Sequence, residues 1–171
     1  MSARTAAQIN EQAMLLRERD GEIAILTLDR PAARNSLSEA LLNALSAAFT
    51  EIAADKTIRA VVLAANGPAF CAGHDLKELT ALRSDADGGL GYFTHVMHAC
   101  SAMMQQIVTL PQPVIAAVQG VATAAGCQLV ASCDLAIASD AAAFATPGVD
   151  IGLFCSTPMV ALSRNVGRKH A

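Results

Sequence analysis

The 171-residue chain is long enough for one domain with its own core, and that core must come from aliphatic residues, because aromatics make up only 4% of the sequence. A formal net charge of −3 excludes a general attraction to nucleic acid or to an anionic membrane surface. Five cysteines without paired CxxC or Cys/His spacing point to no metal, and the odd count reads as reduced thiols in a cytoplasmic protein.

Residues 1–13 are polar and lack periodicity, so they read as a loose tail ahead of a core domain over residues 14–171. Met14 to Arg19 and Glu22 to Asp29 read as two strands joined at Asp20-Gly21, a hairpin signal, with Arg30-Pro31 stopping the second. Ser36 and Glu39 form a capping-box pattern. The helix that follows carries Leu41, Leu45, Ala48, Phe49 and Ile52 on one face and ends near Asp55. Thr57 to Ala65 returns as a strand.

Gly67 to Leu76 is the first loop of chemical interest. It leads from a buried strand to a short helix over Leu76 to Leu82, with Asp75 suited to the N-cap. Main-chain N–H groups at such a turn lack partners within it and are free to face a ligand. Arg83 to Gly91 reads as a surface loop. Phe93, Val96, Met97, Cys100, Met104 and Ile107 mark the buried face of the next helix, with His95 and His98 at its rim. No charged residue other than histidine occurs between Gly88 and Cys133. Val114 to Cys133 is long enough to span a membrane, but Gln119, Gly120, Thr123, Gly126 and Gln128 interrupt it, so a buried strand, a loop of small residues and a helix are expected instead. This is the second strand–loop–helix. Asp134 to Ser139 and Ala143 to Ala145 read as strands, and Ser156 with Pro158 opens a last helix that stops at Gly167. Repeated strand–turn–helix units argue for an α/β fold.

Phe70-Cys71-Ala72-Gly73-His74-Asp75-Leu76 and Gly120…Gly126-Cys127-Gln128-Leu129…Cys133-Asp134-Leu135-Ala136 resemble the two signature segments of the enoyl-CoA hydratase/isomerase (crotonase) superfamily. Asp29-Arg30-Pro31…Asn35-Ser36-Leu37 and Phe144 to Pro158 are similar to its first and third blocks, the third in the manner of the enoyl-CoA hydratase domain-containing branch. The resemblance implies a crotonase-like spiral of ββα units, assembled as a homotrimer or a dimer of trimers. The family carries a further C-terminal helical segment beyond the point where this sequence stops.

The resemblance also implies the chemistry. An acyl-CoA thioester oxygen would sit between the main-chain N–H groups of His74 and Ala125, beside Gly126, and those fixed donors would stabilise an enolate. The His74 imidazole could serve as a base, but its usual counterpart in the family is small and unreactive, so no role is expected of it. Family hydratases place two glutamates where this chain has Gln128 and Gly148, so both expected acid–base groups are missing. Asp150 is the nearest carboxylate to the third block and reads either as a base or as a surface or capping residue. Coenzyme A, as part of the substrate and not a resident cofactor, would contact the Phe70, Cys71, Ala72, Gly73 and Asp75 loop, with Arg30 and Arg34 facing its phosphates. The function expected is that of an acyl-CoA enzyme, a hydratase-like lyase or an isomerase of fatty-acid or organic-acid metabolism. The alternatives are a catalytically inactive acyl-CoA-binding protein and a structural assembly subunit without affinity for coenzyme A.

Overall fold

The computed structural model describes residues 14–170, so the expected N-terminal tail lies outside the described residues. Strands β1 (Leu15–Asp20) and β2 (Ile23–Leu28) form the antiparallel hairpin that Asp20-Gly21 signals, with Gly21 at φ +57°. Helix α1 (Glu39–Ala54) then crosses to β3 (Ala60–Ala65). From here the chain repeats a pattern. β3 is followed by β4 (Ala69–Cys71) and α2 (Leu76–Ala81); after the long helix α3 (Leu90–Thr109), β5 (Val114–Val118) is followed by β6 (Val121–Thr123) and α4 (Ala125–Ser132). A third turn adds β7 (Leu135–Ala138), β8 (Ala143–Ala145) and α5 (Ser156–Asn165).

Each turn therefore gives one strand to each of two sheets. The larger sheet has the order β1-β2-β3-β5-β7 and is parallel from β2 onward; the smaller is β4-β6-β8 and parallel throughout. These are the ββα units expected. The segment read as a possible membrane span is β5, β6 and α4, and no helix among the described residues is long and apolar enough to cross a membrane.

The core lies between the larger sheet and helices α1 and α3. Leu26, Leu28 and Leu63 from the sheet meet Leu41, Leu45, Phe49 and Ile52 of α1 and Met103 and Ile107 of α3, all buried. The expected stripe on α1 is buried throughout. On α3 the expected Val96, Cys100, Met104 and Ile107 are buried and Phe93 partly so, while Met97 is exposed and Met103 is sealed in addition.

Two further expectations are corrected. The cap of α1 is Ser38, whose hydroxyl accepts from the Leu41 N–H at 3.2 Å; Ser36 is held elsewhere, by Asp75. The stretch expected as a loop over Arg83 to Gly91 opens with a 3-10 turn at Leu82–Ser84, and α3 already begins at Leu90.

Candidate functional site

The site is built where β4 and β6 leave the smaller sheet. Leu37 fixes the first loop by a parallel bridge. Its N–H donates to the Gly73 carbonyl at 2.8 Å, and its carbonyl accepts from the Asp75 N–H at 3.1 Å. Backbone groups alternate in direction along an extended segment, so the N–H of His74, between these two, faces away from Leu37. Among the described residues it has no acceptor. Gly73 has φ +93°, and a Cβ there would lie 3.3 Å from the Ala125 nitrogen and 3.1 Å from the Ala124 Cβ. The glycine thus lets the first loop rest directly on the second.

The second loop turns at Ala124, a non-glycine residue at φ 52°, ψ −122°. This is a sparsely populated conformation with a cost of about 1–3 kcal/mol. It is held by an Ala124 N–H bond to the Ala145 carbonyl at 2.9 Å and by the Gln128 N–H bond to the Ala124 carbonyl at 3.1 Å. The turn leaves the Ala125 N–H, the first of α4, without an acceptor among the described residues. Gly126 packs on β4 so closely that any Cβ would overlap the Cys71 carbonyl. The two loops are therefore joined main chain to main chain, and two unpaired N–H groups lie on adjoining backbone.

A polar frame supports the first loop. Asp75 caps α2 by accepting from the Lys77 N–H at 3.1 Å, and its other oxygen takes the Arg30 guanidinium at 3.0 Å and the Ser36 hydroxyl at 3.1 Å. Burial pushes the Asp75 carboxyl up, but the bonds from Arg30, Ser36, Glu78 N–H and Lys77 N–H together outweigh it and hold the group below the usual carboxylate range. Asn35, with 0% exposure, joins three segments: it accepts from the Arg30 N–H at 2.7 Å and donates to the carbonyls of Asn66 at 2.8 Å and Ala69 at 2.9 Å. The left-handed φ of Asn35 suits an asparagine, and its buried role had no signal beyond its residue type.

The residues singled out in the sequence fall into distinct places. Phe70 and Cys71 have side chains in the core, and burial pushes the Cys71 thiol up to about 12, so only their main chain is left to serve a ligand. The Ala72 N–H is already bonded to the Arg34 carbonyl at 3.0 Å. The Arg30 guanidinium is committed to Asp75 and to the Ser36 carbonyl at 2.6 Å, whereas the Arg34 side chain is exposed beside the same loop. Gln128, 9% exposed, opens onto a cleft of about 590 Å³ between α3, α4 and α5 whose walls include Met104, Val160 and Arg164. Gly148 is sealed: a Cβ there would lie 2.6 Å from both the Leu153 carbonyl oxygen and the Cys155 sulfur. Asp150 is exposed on the 3-10 turn Pro147–Ile151. His95, on the rim as expected, lies 2.8 Å from Glu39.

Comparison with known proteins adds identity to this geometry. The family model described as Enoyl-CoA hydratase/isomerase matches residues 18–171. The rat enoyl-CoA hydratase domain-containing protein 3, mitochondrial, is 48% identical over 171 residues, covering 99% of this chain and 55% of the relative. The human protein of the same name is 50% identical over 155 residues, covering 91% and 49%. The chain thus spans about half the length of these relatives. Among solved structures, an enoyl-CoA hydratase from Mycobacterium smegmatis superposes with a TM-score of 0.85 at 56% identity, covering 93% of this chain and 60% of that one. Human enoyl coenzyme A hydratase domain-containing protein 3 superposes at 0.84 and 47% identity, covering 92% and 60%. The fold is the crotonase fold that the sequence motifs imply. The relatives' names correct one expectation: they are mitochondrial, and the reading of this chain as cytoplasmic, drawn from cysteine usage alone, does not stand. Reduced thiols do not distinguish compartments. The matched model, the relatives and the shared architecture agree that this chain belongs to the enoyl-CoA hydratase/isomerase family, in the branch of the enoyl-CoA hydratase domain-containing proteins.

Proposed function

We propose that this chain binds an acyl-CoA thioester and stabilises its enolate between the N–H groups of His74 and Ala125. One observation carries the reading: two unpaired main-chain donors sit on loops that Gly73 and Gly126 press together. Donors fixed before the reaction favour the charge that develops on the thioester oxygen without having to reorient. The positive end of α4 adds to them. Removing one such donor typically raises the barrier by roughly 3 kcal/mol. Arg34, exposed and free of ion pairs among the described residues, serves the coenzyme A phosphates in this reading. The reaction class is that of a hydratase-like lyase or isomerase of acyl-CoA metabolism, in a homotrimer.

A second reading has its own observation. Gly148 not only lacks the family carboxylate but has no room for a side chain, and Gln128 cannot titrate. These favour a protein that binds acyl-CoA without hydrating it. The experiment is crotonyl-CoA hydration, followed by loss of the conjugated absorbance, beside a titration of coenzyme A binding on the same sample. Hydration supports the first reading, binding alone supports the second, and absence of both rejects the two together.

A further inference from the structure

The cleft beside Gln128 has walls whose chemistry the thioester oxygen does not use. Three helices line it, each with one face. Thr157, Val160, Ala161 and Arg164 stand at i, i+3, i+4 and i+7 of α5, a single helical stripe. α3 adds Met104 and Val108, and α4 adds Gln128. The Asn165 amide donates to the Ala131 carbonyl at 2.7 Å, which docks α5 on α4 and fixes Arg164 beside the opening. Gln128 is 9% exposed, yet its side-chain amide has no hydrogen-bond partner among the described residues. An amide carries two donors and an acceptor, and a buried one is ordinarily satisfied, so its free groups point to a ligand in the cleft. Arg164 is the only cation in the lining and makes no ion pair among the described residues. The only carboxylate in the lining, Asp134, already takes the Val114 N–H at 2.8 Å. Val108 and Val160 are exposed although apolar. The cleft therefore combines uncovered apolar wall with a guanidinium that has no counter-ion.

We infer that this cleft selects an acyl-CoA whose chain ends in a carboxylate, the thioester of a dicarboxylic acid, with Arg164 as the specificity-determining residue. The inference rests on the acyl-CoA reading above and names its substrate class. Gln128 lies three residues past Ala125 on α4, so the two adjoin on the helix surface. Helical side chains lean toward the helix N-terminus, here the end that carries the unpaired Ala125 N–H. A chain leaving a thioester held at that N–H meets Gln128 and then the cleft. Its methylene groups cover Met104, Val108 and Val160, and its terminal carboxylate accepts from the Arg164 guanidinium, whose planar fork matches a carboxylate. The formal net charge of −3 disfavours an added anion on the chain as a whole, so a preference for one reports a local cation.

The test is calorimetric titration of the 171-residue chain with adipyl-CoA and with hexanoyl-CoA, whose chains have equal carbon count and differ only in ending in a carboxylate or a methyl. Wild type is expected to bind adipyl-CoA about tenfold more tightly, the scale of one charge-assisted pair at a partly open site. Arg164→Met is expected to bring the ratio of the two affinities to about one, and Arg164→Lys, which keeps the charge without the fork, to retain part of the preference. Arg164 is exposed, so neither substitution disturbs the core, and hexanoyl-CoA binding by each variant reports a folded site. Equal affinity of wild type for the two thioesters, or tighter binding of hexanoyl-CoA, overturns the carboxylate preference and leaves the acyl-CoA reading intact. A preference that survives Arg164→Met overturns the assignment to this cleft. Failure of wild type to bind either thioester overturns the inference and the acyl-CoA reading together.

Discussion

The first two turns of the spiral and the third share one pattern, strand, short strand and helix, yet they are finished differently. In the first two, the junctions are closed by main chain on main chain: Gly73 against Ala125, Gly126 against Cys71 and Gly120 against Pro68. Their strands β3, β4, β5 and β6 place Leu63, Phe70, Val114 and Ala122 in full burial. In the third turn both strands are open. Leu135, Ile137 and Phe144 are exposed, as are Val149, Ile151, Leu153 and Phe154 in the segment before α5. β7 and β8 are also the outermost strands of their sheets. The two unpaired N–H groups depend on the closed turns; the open one holds Ala124 through the Ala145 carbonyl and lends Val160 and Arg164 to the cleft beside Gln128. The closed main-chain junctions thus form without burial of the third turn.

The largest expected effect comes from forcing the closed turns apart. Gly126→Ala places a methyl on the Cys71 carbonyl, where the obstacle is backbone and not a flexible side-chain end. We expect a loss of at least about 3 kcal/mol in stability by urea unfolding and, in any folded fraction, loss of coenzyme A affinity. Affinity at the wild-type level would show that the two loops need not touch. Next is Asp75→Ala, which removes the α2 cap and strands Arg30; the expected cost is about 2 kcal/mol. Its pH dependence has a definite sign. The Asp75 carboxyl is held below its unfolded value, so its contribution is present above about pH 4 and is lost as pH falls through the folded value. Asp75→Asn should therefore flatten the acid side of the stability profile and leave its alkaline side unchanged.

The site was legible in the sequence where contacts are local, and not where they are distant. Asp75 as a cap, the α1 stripe and the Asp20-Gly21 hairpin each follow from residues within a few positions of one another. The sequence points to Ser36 rather than Ser38 as the cap because two serines precede α1 and only a contact 39 residues away, with Asp75, decides between them. Arg30 reads as a free phosphate partner until Asp75, 45 residues on, is seen to hold it. β4 and β6 have three residues each, too few to show any alternation, so both look like loop in the sequence. The left-handed turn at Ala124 had no signal at all, since alanine is not a residue that favours it. The missing carboxylates were visible in the letters, but the sealed space at Gly148 was not.

That sealed space sharpens the comparison from the other side. Gly148→Ala puts a methyl 2.6 Å from the Leu153 carbonyl and the Cys155 sulfur. The backbone overlap is smaller than at Gly126, where the Cys71 carbonyl lies 2.1 Å away, and the second obstacle is a side-chain end, so the expected cost is about 1 kcal/mol, below that at Gly126. A cost equal to that at Gly126 would mean that the third turn is as tightly closed as the first two. Restoring a carboxylate is therefore cleaner at Gln128, where the side chain already opens onto a cleft. Gln128→Glu is expected to raise crotonyl-CoA hydration without a matching loss of stability, and no gain would separate the cleft from the reacting carbon.

The smallest expected effect is on the open face itself. Ile137 and Leu63 belong to the same sheet, one 70% exposed and the other 0%. A buried leucine cut to alanine leaves a cavity and costs about 2–5 kcal/mol. Ile137→Thr removes apolar surface that is already in water, keeps the branched Cβ that a strand favours, and should change the unfolding free energy by less than about 0.5 kcal/mol. Its effect belongs in association instead, because an outermost strand carrying exposed leucine and isoleucine offers both unpaired backbone and apolar surface to another chain. Light scattering of the threonine variant should therefore fall at constant stability. If Ile137→Thr instead destabilises the protein in proportion to concentration, the face is covered in solution by another chain, and the third turn is completed by assembly rather than left open.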